Sequence, residues 1–100
     1  MKIAFAQIDP TIGDIGANRD KVLDALEDAR RDNANILLCP ELVICGYPPR
    51  DLLLREGFVE ACEEAVEAIA AKTGDCCVIV GSPRRLESGG FANSAFVCHG

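Results

Sequence analysis

Ile36-Leu37-Leu38-Cys39-Pro40-Glu41-Leu42 is the stretch on which the fold turns. Four apolar residues in succession, without polar alternation, read as a strand buried on both faces. Pro40 ends it, because proline brings no N–H to a ladder and forces its predecessor away from helical backbone angles. Upstream, Val22, Leu23, Leu26 and Ala29 recur at helical spacing, with Arg19, Asp20, Asp24, Glu27, Asp28 and Arg31 on the opposite side. Asn18 is the expected N-cap of this helix, which should end near Asp32-Asn33. Before it, residues 2–7 (KIAFAQ) read as a short strand stopped by Asp9-Pro10, and residues 11–17, with two glycines and an aspartate, as a loop. The result is a β-α-β unit.

Downstream, residues 40–58 are irregular, with Gly46, Pro48, Pro49 and Gly57, yet rich in Leu, Val and Ile. Loops of that length in compact domains tend to be functional. Residues 59–72 predict a second amphipathic helix, with Val59, Cys62, Val66 and Ile69 inward, Glu60, Glu63, Glu64 and Glu67 outward on a solvated face, and Gly74 as a stop. Residues 76–80 read as a third strand, 81–90 as a polar loop and 94–98 as a fourth strand. The fold class is therefore α/β, with both helices on one face of the sheet. Strands this apolar call for cover on both faces, and the sequence ends two residues after the last one. The expectation is that residues 1–100 are the N-terminal portion of a larger domain whose second layer lies elsewhere, and that the uncovered face makes the chain a homo-oligomer.

Composition narrows the partners. Ten Lys and Arg against sixteen Asp and Glu leave a net charge of −6, and no basic cluster exceeds the pairs Arg30-Arg31 and Arg84-Arg85. Nucleic-acid binding lacks its electrostatic footprint. No apolar run approaches the roughly 18 residues of a membrane span, and the opening segment reaches Asp9 too soon for a signal peptide, so the chain reads as cytoplasmic. The six cysteines (Cys39, Cys45, Cys62, Cys76, Cys77 and Cys98) have no CxxC spacing, the one histidine is His99, and most lie in apolar runs. They are expected to be buried thiols, without a metal or a disulfide framework.

Glu41 follows the carboxyl end of the buried strand, where open α/β sheets place ligand sites. A carboxylate held there in a partly desolvated crevice suits general-base work. An acidic residue in the first turn of a short helix, favoured by the helix dipole alone, would look the same in sequence.

The segment from Pro40-Glu41-Leu42 through Gly46-Tyr47 to Leu54 resembles the glutamate motif of the nitrilase (carbon–nitrogen hydrolase) superfamily. Its continuation Tyr47-Pro48-Pro49-Arg50-Asp51-Leu52-Leu53 is similar, more narrowly, to the glutaminase domains of bacterial glutamine-dependent NAD synthetases. Gln7, Gly13-Asp14-Ile15 with Asn18, Gly81-Ser82-Pro83 and Asn93-Ser94-Ala95 agree, so the resemblance spans the chain.

The resemblance implies an α-β-β-α sandwich, of which this chain would be one β-α-β-α-β-β portion, and a Glu, Lys, Cys triad that hydrolyses glutamine to glutamate and ammonia. By that resemblance Glu41 takes the thiol proton and then activates water against the thioester, and Tyr47 lines the glutamine pocket. For Tyr47 a core aromatic beneath the irregular loop is the alternative. The resemblance places the lysine and the nucleophilic cysteine later in the chain than residues 94–98. Lys2, Lys21 and Lys72 match no oxyanion position, and Cys45, the cysteine nearest Glu41, matches no nucleophile elbow. The chain alone should be inactive and hold no cofactor; no phosphate loop or dinucleotide glycine pattern occurs, and ATP and Mg²⁺ would belong to an absent C-terminal synthetase domain. Two rivals stand beside this reading: a stand-alone amidase or nitrilase of the same superfamily, and a non-catalytic interaction module that docks through its bare sheet face.

Overall fold

The computed structural model describes residues 1–47 and 50–98; Pro48-Pro49 of the motif, with His99 and Gly100, lie outside the described residues. The chain runs β1 (Ile3–Phe5), α1 (Ile15–Arg31), β2 (Ile36–Leu38), a 3₁₀ turn (Arg50–Leu54), α2 (Phe58–Ala70), β3 (Cys77–Arg85) and β4 (Phe91–Cys98). The four strands form one sheet in the order β1-β2-β3-β4. The first three are parallel, with Ile3, Ile36 and Cys77 in register, and β4 runs antiparallel to β3, Val78 facing Cys98 and Arg85 facing Phe91.

Three local expectations are corrected. Asp14, not Asn18, caps α1: its Oδ1 accepts the Ala17 N–H at 3.1 Å, while Asn18 is wholly buried inside the first turn. An N-cap faces the open helix end, whereas Asn18 lies one turn before Val22 on the face that packs. The second correction concerns residues 81–85, which are not loop but the second half of β3, paired with β4. Pro83 is tolerated there because β2 stops opposite Ile79, leaving that side of β3 an edge where a missing N–H breaks no ladder bond. Nor is the acidic face of α2 simply solvated. Arg85 donates from Nε to Glu60 Oε2 at 2.9 Å, holding that carboxyl below its ordinary range, and from its backbone N–H to Glu63 at 3.4 Å.

Strand alternation and register give the sheet two unlike faces. Ala4, Leu37, Val78, Val80, Phe96 and Cys98 share one side, and Leu37, Val78 and Val80 there are fully buried with Val22, Leu26 and Ala29 of α1 and Cys62, Val66 and Ile69 of α2. Each such side chain contributes about 1.5–3 kcal/mol of burial, and together they account for why both helices lie on one side. The other side carries Ile3, Phe5, Ile36, Leu38, Cys77, Ile79 and Val97. Phe5 is 68% exposed, Val97 65% and Ile3 49%.

Soluble monomers rarely keep so continuous an apolar face in water. The isolated chain should therefore bind a hydrophobic dye strongly and elute above its 10.7 kDa mass in size exclusion. Phe5→Ser with Val97→Thr should weaken both effects. A monodisperse monomer without dye binding would show that the face is covered.

Candidate active site

The site begins where β2 ends. After Pro40 the chain makes a single turn, closed by the Gly46 N–H on the Leu42 carbonyl at 2.8 Å, and Leu42 sits in the left-handed region at φ 49°. That conformation costs a bulky residue on the order of 1–3 kcal/mol. Burial of the Leu42 side chain is of comparable size, and Val43, Ile44 and Cys45 beside it are also fully buried. The turn rests directly on β3. A Cβ at Gly81 would stand 2.5 Å from the Leu42 nitrogen, so only glycine permits the approach, and the Ile44 N–H donates to the Gly81 carbonyl at 3.3 Å.

Asn18 ties this turn to the loop after β1. Its Oδ1 accepts the Thr11 N–H at 2.8 Å, and its Nδ2 donates to the carbonyls of Thr11 at 2.7 Å and Ile44 at 3.0 Å. The Gly13 N–H adds a bond to the Cys45 carbonyl at 2.8 Å. The sequence carried a signal for this role: Asn18, Val22, Leu26 and Ala29 share one helical face, so Asn18 is a polar residue on the buried side.

With its backbone held in this way, Glu41 projects to the open face of the sheet. Asn93 of β4 donates from Nδ2 to Glu41 Oε1 at 3.0 Å. The two residues border a shallow cavity of about 290 Å³ floored by Leu38, Ile79, Gly81 and Ala95. Glu41 itself is exposed, in a turn rather than at the start of a helix, so neither the desolvated crevice nor the helix-start position applies to the chain as it stands. Tyr47 is 65% exposed, which removes its core-aromatic alternative and leaves it outside that cavity. Asn93 had no assigned role in the sequence reading, because its contact joins residues 52 apart.

The remaining reactive side chains lie elsewhere. Lys2 Nζ donates to the Asp32 carbonyl at 2.8 Å and Lys21 Nζ to that of Asp9 at 2.9 Å. Cys45, fully buried, turns its Sγ to the Gly46 carbonyl at 3.3 Å and to Cys62, away from the Glu41 cavity. A larger hollow of about 570 Å³ between the helices, rimmed by Arg30, Arg31 and Lys72, contains no paired base and nucleophile; its Glu27 is bonded to Arg31 at 3.4 Å. Among the described residues no three His, Cys, Asp or Glu side chains converge as a metal cage would require.

Glu41 thus stands just beyond the carboxyl end of a parallel strand, on the open face of the sheet and bonded to Asn93, the position where open α/β sheets place ligand sites. Residues 2–99 match the carbon-nitrogen hydrolase family, and the chain belongs to it. Its sequence is 38% identical over its whole length to the glutamine-dependent NAD(+) synthetase of Xylella fastidiosa, spanning 18% of that protein. It is 50% identical over 70 residues to that of Synechocystis sp., covering 70% of this chain and 12% of the relative. Among solved structures, the glutamine-dependent NAD(+) synthetase of Cytophaga hutchinsonii superposes with a TM-score of 0.91 at 35% identity, over 97% of this chain and 17% of that one. The NitN amidase of Neterenkonia sp. AN1 does so at 0.72 and 29%, over 83% and 33%. The four strands and two helices are thus part of a nitrilase-like sandwich, and the chain spans less than a fifth of the synthetases it matches.

All six thiols are unpaired, four of them buried. Burial pushes Cys39 up to about 12, helped by Cys98, and raises Cys76 and Cys98 as well; Cys62 is raised by its contact with Cys45 and by burial. Cys45 moves the other way, because Cys62 bonds to it. An unfolded thiol ionises near pH 9, so between pH 9 and about 12 the folded chain holds a proton at Cys39 that the unfolded chain has lost. That contribution to stability is full below pH 9 and disappears as pH rises through the window. The melting temperature should fall by roughly 5 °C or more between pH 9 and 11, and Cys39→Val should flatten the slope. An unchanged slope in that variant would remove Cys39 from the account.

Proposed function

We propose that this chain is part of the glutaminase unit of a glutamine-dependent NAD synthetase, hydrolysing glutamine to glutamate and ammonia within a longer polypeptide. The observation that carries the reading is Glu41 at the end of β2, aimed to the open face and held by Asn93, in a chain similar along its whole length to such synthetases. In this reading a cysteine and a lysine from the rest of the polypeptide complete the site over that face. Glu41 takes the thiol proton as sulfur bonds to the carboxamide carbon, and returns it to nitrogen as the C–N bond breaks and ammonia leaves. It then takes a proton from water, whose oxygen displaces the thioester sulfur; glutamate departs and the thiol recovers its proton. A thiol is only slightly ionised near neutrality, so a fixed base multiplies its nucleophilicity.

Tyr47, exposed six residues after Glu41 and outside the cavity this chain forms by itself, would line the glutamine pocket once the rest of the polypeptide completes it. In this reading ammonia passes to a C-terminal synthetase domain, and ATP and Mg²⁺ act there rather than in this chain. Unpaired thiols suit a reducing cytoplasm, and the chain by itself, with Phe5, Ile3 and Val97 exposed on the open face of the sheet, suits a homo-oligomer. The amidase neighbour keeps a stand-alone amidase as the second reading, though the synthetases cover more of the chain at higher identity.

Two measurements test this. Incubated with glutamine, the 100-residue chain should release ammonia no faster than buffer; turnover abolished by Cys45→Ala would mean that the site is complete here. In the longer polypeptide, Glu41→Gln keeps size and hydrogen-bonding reach but removes basicity. General bases contribute on the order of 10²–10⁴-fold, and one residue serving both half-reactions should cost the upper end. Glutamine-supported synthesis should collapse while ammonium-supported synthesis survives. Retention of glutamine-supported activity within about threefold, against the loss expected for a base, would refute the role.

A further inference from the structure

We infer that Asn93 is a positioning residue for Glu41, an inference that rests on the general-base reading of that glutamate. The backbone at Glu41 is fixed by Asn18, Gly81 and the left-handed Leu42, but none of these restrains the glutamate side chain. Among the described residues its one side-chain partner is Asn93, at 3.0 Å, and it takes part in no ion pair. Asn93 is itself placed by the ladder, opposite Pro83 and between the pairs Ser82–Ser94 and Arg84–Ala92. The hydrogen bond therefore transfers the rigidity of the β3-β4 hairpin to a carboxylate on a turn.

The chemistry of the donor matters. A lysine or arginine at 3.0 Å would orient the carboxylate but hold it as a full ion pair, opposing the proton uptake that a base must perform. A neutral amide donating to Oε1 fixes the plane of the group with a weaker hold, and leaves Oε2 free to receive the thiol proton. Because the bond is at the surface, where water competes for both partners, its removal should be felt in the reaction before it is felt in the fold.

The test uses the longer polypeptide, with glutamine-supported and ammonium-supported synthesis measured side by side. Asn93→Leu keeps the volume and removes the donor. It should lower kcat for glutamine hydrolysis about 10–100-fold, the scale of misplacing a reacting group by an ångström, with KM within about threefold and ammonium-supported synthesis unchanged. Asn93→Asp should be worse, because it sets a second carboxylate against the first, and Asn93→Gln, which restores an amide donor, should recover much of the loss. In a Glu41→Gln background Asn93→Leu should add nothing. A kcat within twofold of wild type in both the Leu and Asp variants, or a raised KM with kcat unchanged, would overturn the inference while a collapse in Glu41→Gln leaves the base intact. Loss of ammonium-supported synthesis with a lowered melting temperature would also overturn it, as a structural role. If Glu41→Gln itself keeps glutamine-supported activity, the base reading fails and Asn93 has nothing to position.

Discussion

A single buried amide organises the end of the sheet where the candidate chemistry lies. Asn18 has no exposed surface, and three backbone groups from two loops bond to its side chain. An apolar residue of the same size would leave the buried Ile44 carbonyl without this partner, at about 1–3 kcal/mol, and would release the part-buried N–H and carbonyl of Thr11 to water. The α1 helix thereby does two jobs: its apolar residues cover the sheet, and its first turn fastens the loop after β1 to the loop after β2. With Ile44 bonded both to Asn18 and to Gly81, the turn bearing Glu41 is positioned by backbones on either side of it. No side chain in the open cavity is needed to hold it there.

Much of this was legible in the sequence, where the information is periodic. Burial imposes a repeat of 3.6 on a helix and an apolar run on a central strand, and α1, α2, β2 and the first half of β3 were found from those repeats alone. Glu41 was found because Pro40 marks the strand end. What escaped depends on contacts between distant residues. Gly81-Ser82-Pro83 has the composition of a turn, yet Gly81 is in a strand because the Leu42 backbone must pass over it. Asn18 has the identity of a cap, yet Asp14 is free to cap and Asn18 is needed inside. Asn93 could be quoted as part of a motif, but its partner is on another element and no local rule connects them.

The sheet's open face and the exposure of Glu41 are two aspects of one condition. A carboxylate in water is well solvated and a poor match for a thiol proton, and general-base work gains from partial desolvation. The apolar residues that would supply a dry surrounding, Leu38, Ile79 and Ala95, already floor the Glu41 cavity, and Phe5, Ile36 and Val97 extend the same surface across the sheet. A second layer laid on that face would bury apolar area at roughly 25 cal/mol per Å² and would, by the same placement, take water away from Glu41 while bringing a nucleophile within reach. On the proposed general-base reading of Glu41, association of the layers and activation of the base would then be driven by one hydrophobic contact. On the same reading Asn93 would make this workable, since a carboxylate losing water needs a hydrogen-bond donor, and β4 presents one at 3.0 Å.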